Sequence, residues 1–147
     1  RVTDHAPWSK RSDPSVFVFQ NKLWLLGGGI IDGERFSDVW STTDGVNWKR
    51  ETKQLASRPN VGGSVVVYDE KIWMVGANRN DGFQSAVLIS SDGVSWTERQ
   101  APWTPRGGVA TCVFAGRLFM TGGKYSVTEN GQIRFIYSND VWYLSRG

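Results

Sequence analysis

One seven-residue phrase limits what this chain can fold into, because it occurs three times. Lys22-Leu23-Trp24-Leu25-Leu26-Gly27-Gly28 returns as Lys71-Ile72-Trp73-Met74-Val75-Gly76-Ala77, and again as Arg117-Leu118-Phe119-Met120-Thr121-Gly122-Gly123. The copies lie 49 residues apart (22 to 71) and then 46 residues apart (71 to 117). A unit of this length buries its apolar surface by stacking on its neighbours, so the chain reads as an array of like parts.

The rest of each unit supplies strands and turns. Upstream of the phrase stand the apolar runs Val16-Phe17-Val18-Phe19, Val65-Val66-Val67-Tyr68 and Cys112-Val113-Phe114. These are expected to be strands buried on both faces, with Cys112 a small buried hydrophobe. Gln20-Asn21, Asp69-Glu70 and Ala115-Gly116 then supply tight hairpins, and the small pair closing the phrase allows close backbone approach. Third strands are expected at Asp38-Val39-Trp40-Ser41-Thr42, Ala86-Val87-Leu88-Ile89-Ser90 and Asp140-Val141-Trp142-Tyr143-Leu144. Asp44-Gly45 and Asp92-Gly93 turn the chain into fourth strands that start at Asn47-Trp48-Lys49-Arg50 and Ser95-Trp96-Thr97-Glu98. Four short strands per unit make one propeller blade, so the fold class is all-β, a β-propeller of four-stranded blades, three to the chain.

The di-glycine after the second strand, the Asp-Val-Trp third strand and the fourth-strand Trp resemble the kelch repeat family over essentially the whole chain. The middle copy departs, with Gly76-Ala77 for Gly-Gly and Ala86-Val87-Leu88 for Asp-Val-Trp. Ser90-Ser91-Asp92-Gly93-Val94-Ser95-Trp96 also looks like the Asp-box of sialidase-type propellers, short of one residue between Asp and Gly. A hairpin turn with a packing Trp is the favoured reading there.

The two ends read as pieces of one unit. Ala6-Pro7-Trp8-Ser9-Lys10-Arg11 matches Ala101-Pro102-Trp103-Thr104-Pro105-Arg106, which sets Arg1 level with Trp96. The expected division is residues 1–8 as an outer-strand fragment and linker, 9–57 as blade 1, 58–105 as blade 2, and 106–147 as blade 3 lacking its outer strand. The last blade is thus expected to be split between the N- and C-termini. Three blades are too few to close, and an open arc exposes apolar faces and an unpaired edge. The expected partner is a second copy, giving a homodimer of two three-blade arcs. Val2-Thr3-Asp4 of each copy is expected to pair with Val141-Trp142-Tyr143 of the other.

Composition excludes several function classes. With 39% hydrophobic residues and eight Trp, the chain has apolar surface enough to offset ordering entropy. A net charge of +3 without a basic run gives no footprint for nucleic acid. No apolar stretch has membrane-span length, and the single Cys112 forms no intrachain disulfide. The chain is expected to be soluble, with no compartment specified. His5 stands alone, and the kelch-type copper oxidases need two histidines and a cysteine-linked tyrosine, so no metal or cofactor is expected.

Chemistry is expected on the loops between second and third strands, 29–36, 78–83 and the long 124–139 insertion, and on the segments leading into each blade. The loops carry Arg35, Arg79 and Arg134, and the lead-ins carry Arg11, Arg58 and Arg106, residues suited to bidentate grip on a carboxylate or sulfate. Tyr125 and Phe83 suit a sugar ring or a peptide side chain. The recurrent tryptophans are assigned to packing between blades.

The resulting expectation is a non-catalytic binding or scaffold module with a protein or glycan ligand. The alternative drawn from the resemblance is a mutarotase or epimerase of sialic acid or a related acidic sugar, with Glu34 or Glu129 as acid/base. A plainer possibility is a self-assembling half-ring, natural, engineered or a fragment, with no ligand.

Overall fold

The computed structural model describes residues 1–30, 33–55, 62–79 and 82–145. Twelve strands form three four-stranded antiparallel sheets in the described residues. The first sheet runs β1 (Ser15–Phe19), β2 (Lys22–Leu26), β3 (Val39–Thr42), β4 (Lys49–Thr52), side by side in chain order. The second repeats that order with β5 (Ser64–Tyr68), β6 (Lys71–Arg79), β7 (Gly82–Ser90) and β8 (Thr97–Gln100). In the third, β9 (Gly107–Phe114) pairs with β10 (Arg117–Glu129). The other side of β10 carries β12 (Val141–Ser145) on its first half and β11 (Gln132–Tyr137) on its second.

The hairpins joining first to second strands turn on two residues with positive φ: Gln20 and Asn21 (49° and 56°), Asp69 and Glu70 (50° and 54°), Ala115 and Gly116 (48° and 71°). Two left-handed residues match the twist of the flanking strands, which is why so short a turn suffices. The glycine pair after the second strand has a different purpose. Gly28 (φ +89°) and Gly123 (φ +90°) lie under the segment leading into their own blade, where a Cβ would sit 2.7 Å from Ser12 O or 2.8 Å from a Val109 methyl. Only glycine fits there.

The sheets stack face to face in chain order. Pleating gives each blade an upstream face and a downstream face, and residues paired across strands share one. Phe17, Phe19, Trp24, Leu26 and Val39 of blade 1 face downstream and form one core with Ile72, Met74 and Leu88 of blade 2. Val75 and Val87 of blade 2 pack on Val109 and Met120 of blade 3. Polar stitches join neighbouring inner strands: Ser15 Oγ donates to Gly63 O (3.0 Å), Ser64 Oγ meets Thr111 Oγ1 (2.7 Å), and Tyr68 Oη donates to Gly116 O (3.0 Å).

Two expectations need correction. The first-strand runs are not buried on both faces throughout: Val16, Val18 and Phe114 are exposed, and so is Cys112. Their pattern is right for a strand between two blades, but these side chains lie on faces of the outer two sheets that no described blade covers. The second correction concerns residues 124–139, read as a loop. Most of this stretch is a β-hairpin, the far half of β10 and all of β11, turning on Asn130 and Gly131 with positive φ (52° and 76°).

Candidate functional site

The lead-in segments of blades 1 and 3 cross one end of their blades, and the arginine in each of these two is placed by that crossing. Arg11 sends Nη1 to Gly27 O (2.8 Å) and to Asp38 Oδ1 (2.6 Å), Nη2 to Asp38 Oδ2 (3.0 Å), and Nε to Ser9 O (3.1 Å). Its guanidinium also lies 4.2 Å above the Phe36 ring. Blade 3 repeats the device: Arg106 grips Asp140 with both Nη atoms and reaches Gly122 O (3.2 Å) and Thr104 O (3.1 Å). In both blades the aspartate also accepts the indole N–H of the tryptophan two residues on, Trp40 or Trp142, at 2.7 Å. A bidentate, charge-assisted pair of this kind fixes one orientation of the lead-in strand on its sheet.

The same arrangement seats a tryptophan pair. Trp8 meets Trp40 edge-on at 5.8 Å and 61°, and Trp103 meets Trp142 at 5.8 Å and 63°. Blade 2 keeps the lead-in arginine in its sequence but substitutes the other three residues, with Leu55 for the lead-in Trp, Leu88 for the third-strand Trp and Ala86 for Asp. Both leucines belong to the blade 1–blade 2 core.

The carboxyls are shifted accordingly. Burial pushes Asp38 up, but hydrogen bonds from Arg11 and Trp40 and the Arg11 charge outweigh it and leave the pKa below the usual value. Asp140 is held at about 2, chiefly by the Arg106 hydrogen bonds and then by Trp142. Asp92 sits low because the backbone N–H groups of Ser95 and Val94 donate to it, and Asp44 is lowered by Asn47 and Val46 in the matching turn. The Asp-box-like stretch is therefore a satisfied turn. Because these folded values lie below the unfolded value near 3.9, their stabilisation is complete above it and is lost as pH falls through the folded values. Thermal melts are expected to be flat from neutral pH down to about 5 and to drop steeply between about 4 and about 2.

The six arginines and Tyr125 take different positions. Arg11 and Arg106 are almost wholly buried, with their donors spent inside their own blades. Arg35 is half-buried and bridges to Gly29. Arg79 ends β6 opposite Gly82, and Arg58 lies outside the described residues. Arg134 forms an exposed ion pair with Glu129 at 3.1 Å, a contact of little energetic weight. Tyr125 is half-buried, opposite Ile136.

What the sequence reading missed is the aromatic side of the β10–β11 hairpin. Ile133, Phe135 and Tyr137 alternate along β11 and are all exposed. Phe83, at the start of β7, meets Phe135 edge-on at 6.5 Å, and Lys124 Nζ lies 4.8 Å from the centre of the Phe135 ring. Asn130-Gly131 between alternating apolar residues was the available signal. Among the described residues no three His, Cys, Asp or Glu side chains group to hold a metal ion.

Repeated four-stranded sheets stacked face to face, the first and third pinned at one end by their lead-in segments, define a β-propeller. The chain belongs to the DUF6242 beta propeller domain family, whose model matches residues 19–143. No curated protein matches it.

Proposed function

We propose that this propeller module, kelch-like in its repeats and non-catalytic, packs end to end on a second copy and binds a protein or glycan on its loop face. The observation that supports end-to-end packing is a contrast between equivalent positions. Phe19 and Val39 on the downstream face of blade 1 are 6% and 0% exposed beneath blade 2. Phe114 and Val141, in the same places on blade 3, are 71% and 65% exposed. The upstream face of blade 1 is the complementary surface, with Val16 at 53% and Val18 at 66%. Apolar patches of this kind mark association surfaces.

The turn glycines add an independent argument. Gly93 of blade 2 lies so close to Trp24 of blade 1 that a Cβ would come within 2.5 Å of the ring, whereas Gly45, its equivalent in blade 1, has nothing within 4 Å. Phe119 is the blade 3 counterpart of Trp24, and a second copy's Phe119 is the natural occupant of that space.

Phe114→Glu and Val18→Glu each place a charge in one of the two surfaces, and both positions are already exposed, so the fold itself is little affected. Each variant alone is expected to be monomeric by light scattering. Mixed together they regain one unmodified junction and form a heterodimer. Dimers of either variant alone as tight as the parent's contradict end-to-end packing.

For the loop face, the exposed Phe135 and Tyr137 beside Lys124, with the half-buried Phe83 against Phe135, supply flat apolar surfaces with a nearby cation, as a sugar ring or an aromatic peptide side chain requires. A thermal-shift panel of neutral glycans, acidic sugars and peptides tests this. A specific shift that Phe135→Ser abolishes supports the loop-face site, and silence across the panel counts against it.

A further inference from the structure

Blade 3 differs from the other two at its outer edge. In blades 1 and 2 the third strand carries a fourth, β4 on β3 and β8 on β7. Among the described residues β12 has no strand on its outer side. Beside that edge lies an apolar cavity of about 380 Å³, walled by Trp73, Val87 and Ile89 of blade 2 and by Trp103, Met120 and Trp142. The indole N–H of Trp103 is buried against it with no acceptor. An orphaned buried donor is costly, and it points to something that belongs there.

Blade 1 shows what fills the corresponding place. There Trp48, at the start of the fourth strand, packs edge-on against Trp8 at 4.8 Å and 87°. In blade 2, Trp96 at the same position packs against the core that contains Leu55. Among the described residues, blade 3 has Trp103 and Trp142 but no fourth-strand side chain against them.

We infer that residues 1–5 of a second copy add to the outer edge of β12 as its fourth strand, so that each copy completes the other's last blade. The inference rests on the end-to-end packing proposed above and fixes the strand partner within it. Residues 6–11 match 101–106 without a gap, so residues 1–5 fall in register with 96–100. In blade 2, Ile89 pairs with Thr97, Leu88 with Glu98 and Val87 with Arg99. Carried to blade 3, Tyr143 pairs with Val2 of the second copy, Trp142 with its Thr3, and Val141 with its Asp4. Arg1 then takes the place of Trp48 and Trp96, its guanidinium against the exposed edge of Trp103, and the strand's backbone carbonyls come within reach of the orphaned indole.

Residues 1–5 are free for this role. They form no strand in the described structure, Val2 is 70% exposed, and the Arg1–Asp4 ion pair is open to solvent. A chain's own residues 1–5 do not reach its own β12. They lead into Trp8, which is seated on the upstream side of blade 1, and blade 2 lies between blade 1 and blade 3.

Cross-linking reads the register directly. In a Cys112→Ala background, Val2→Cys is combined with Tyr143→Cys. Residues directly opposite on neighbouring strands have Cβ atoms about 4.5–5.5 Å apart, near disulfide range. Oxidation is expected to give a covalent dimer. Val2→Cys with Val141→Cys, two places out of register on the same face, is expected to link at least about tenfold less. Both partner positions are exposed, so the substitutions leave folding intact. Deleting residues 1–5 is expected to weaken association at least about tenfold.

A dimer that forms no Val2–Tyr143 link overturns strand addition and leaves end-to-end packing standing. A monomer overturns both. Equal linking at Tyr143 and Val141, a link within one chain, or a deletion variant that associates as tightly as the parent also overturns the inference.

Discussion

Trp24→Ala is expected to lower the unfolding free energy by about 3–5 kcal/mol, among the largest single losses available to this chain. Trp24 is 2% exposed, stacks on Phe17 at 6.4 Å and 7°, and donates its indole N–H to Phe19 O at 3.0 Å. Its far edge touches the Gly93 turn of the next blade. Truncation removes the apolar burial, leaves a void between two sheets that cannot close without shifting both, and frees the Phe19 carbonyl. Urea unfolding measures the loss as a lower midpoint at unchanged m. In thermal melts the same loss appears as about 10 °C or more at this chain length. A companion pair isolates the contact: Gly93→Ala is expected to cost more than Gly45→Ala. Both glycines have positive φ (78° and 75°), but within a single chain only Gly93 of the two faces a ring, so the comparison is made at concentrations where the chains are separate.

The second large effect comes from Asp38→Ala. The Arg11 side chain is 2% exposed and Asp38 16% exposed, so removing the carboxylate strands a guanidinium where water does not reach it. Breaking a buried pair from one side costs about 3–5 kcal/mol. The Trp40 indole N–H loses its acceptor in the same step. Replacing both partners, Arg11→Met with Asp38→Leu, is expected to recover much of the loss, because no charge is then left buried. Recovery stays incomplete, since Gly27 O also depends on Arg11. Asp140→Ala is expected to cost less than Asp38→Ala: the Asp140 side chain is 41% exposed, and solvent compensates Arg106 in part. The acid limb should change in parallel, with Asp38→Asn less stable than the parent at neutral pH and closer to it near pH about 2, where the parent's carboxylates are also protonated.

Much of the architecture was legible because the repeat carries its own punctuation. Three glycine-closed second strands, the two-residue hairpins and the Asp-Gly turns carry the strand order of blades 1 and 2 and the pairing of β9, β10 and β12 in blade 3. Burial was less legible. Val16-Phe17-Val18-Phe19 and Cys112-Val113-Phe114 look alike, and which side chains are covered depends on whether another blade lies alongside. That is a property of the array and not of the segment.

The arginine pairs show a different limit. Arg11 and Arg106 were read as open to ligand because an arginine near a loop shows its charge in the sequence but not its partner. Asp38 lies 27 residues away and Asp140 34 residues away, across a sheet. Their joint recurrence in copies 1 and 3 was the only sign. In copy 2 the lead-in arginine remains, but Ala86 stands in place of the aspartate, which broke the pattern that would have exposed the pairing. The β10–β11 hairpin was hidden by length, since sixteen residues between recognised motifs look like a loop until Asn130-Gly131 is read as a turn.

The central claim is that the faces of blade 1 and blade 3 left open in one chain cover each other in a pair of chains. Sedimentation velocity of the unmodified chain across micromolar concentrations tests it most directly. The account predicts one species with the mass of two chains, giving way to single chains only on dilution; a species with the mass of one chain at every concentration contradicts it.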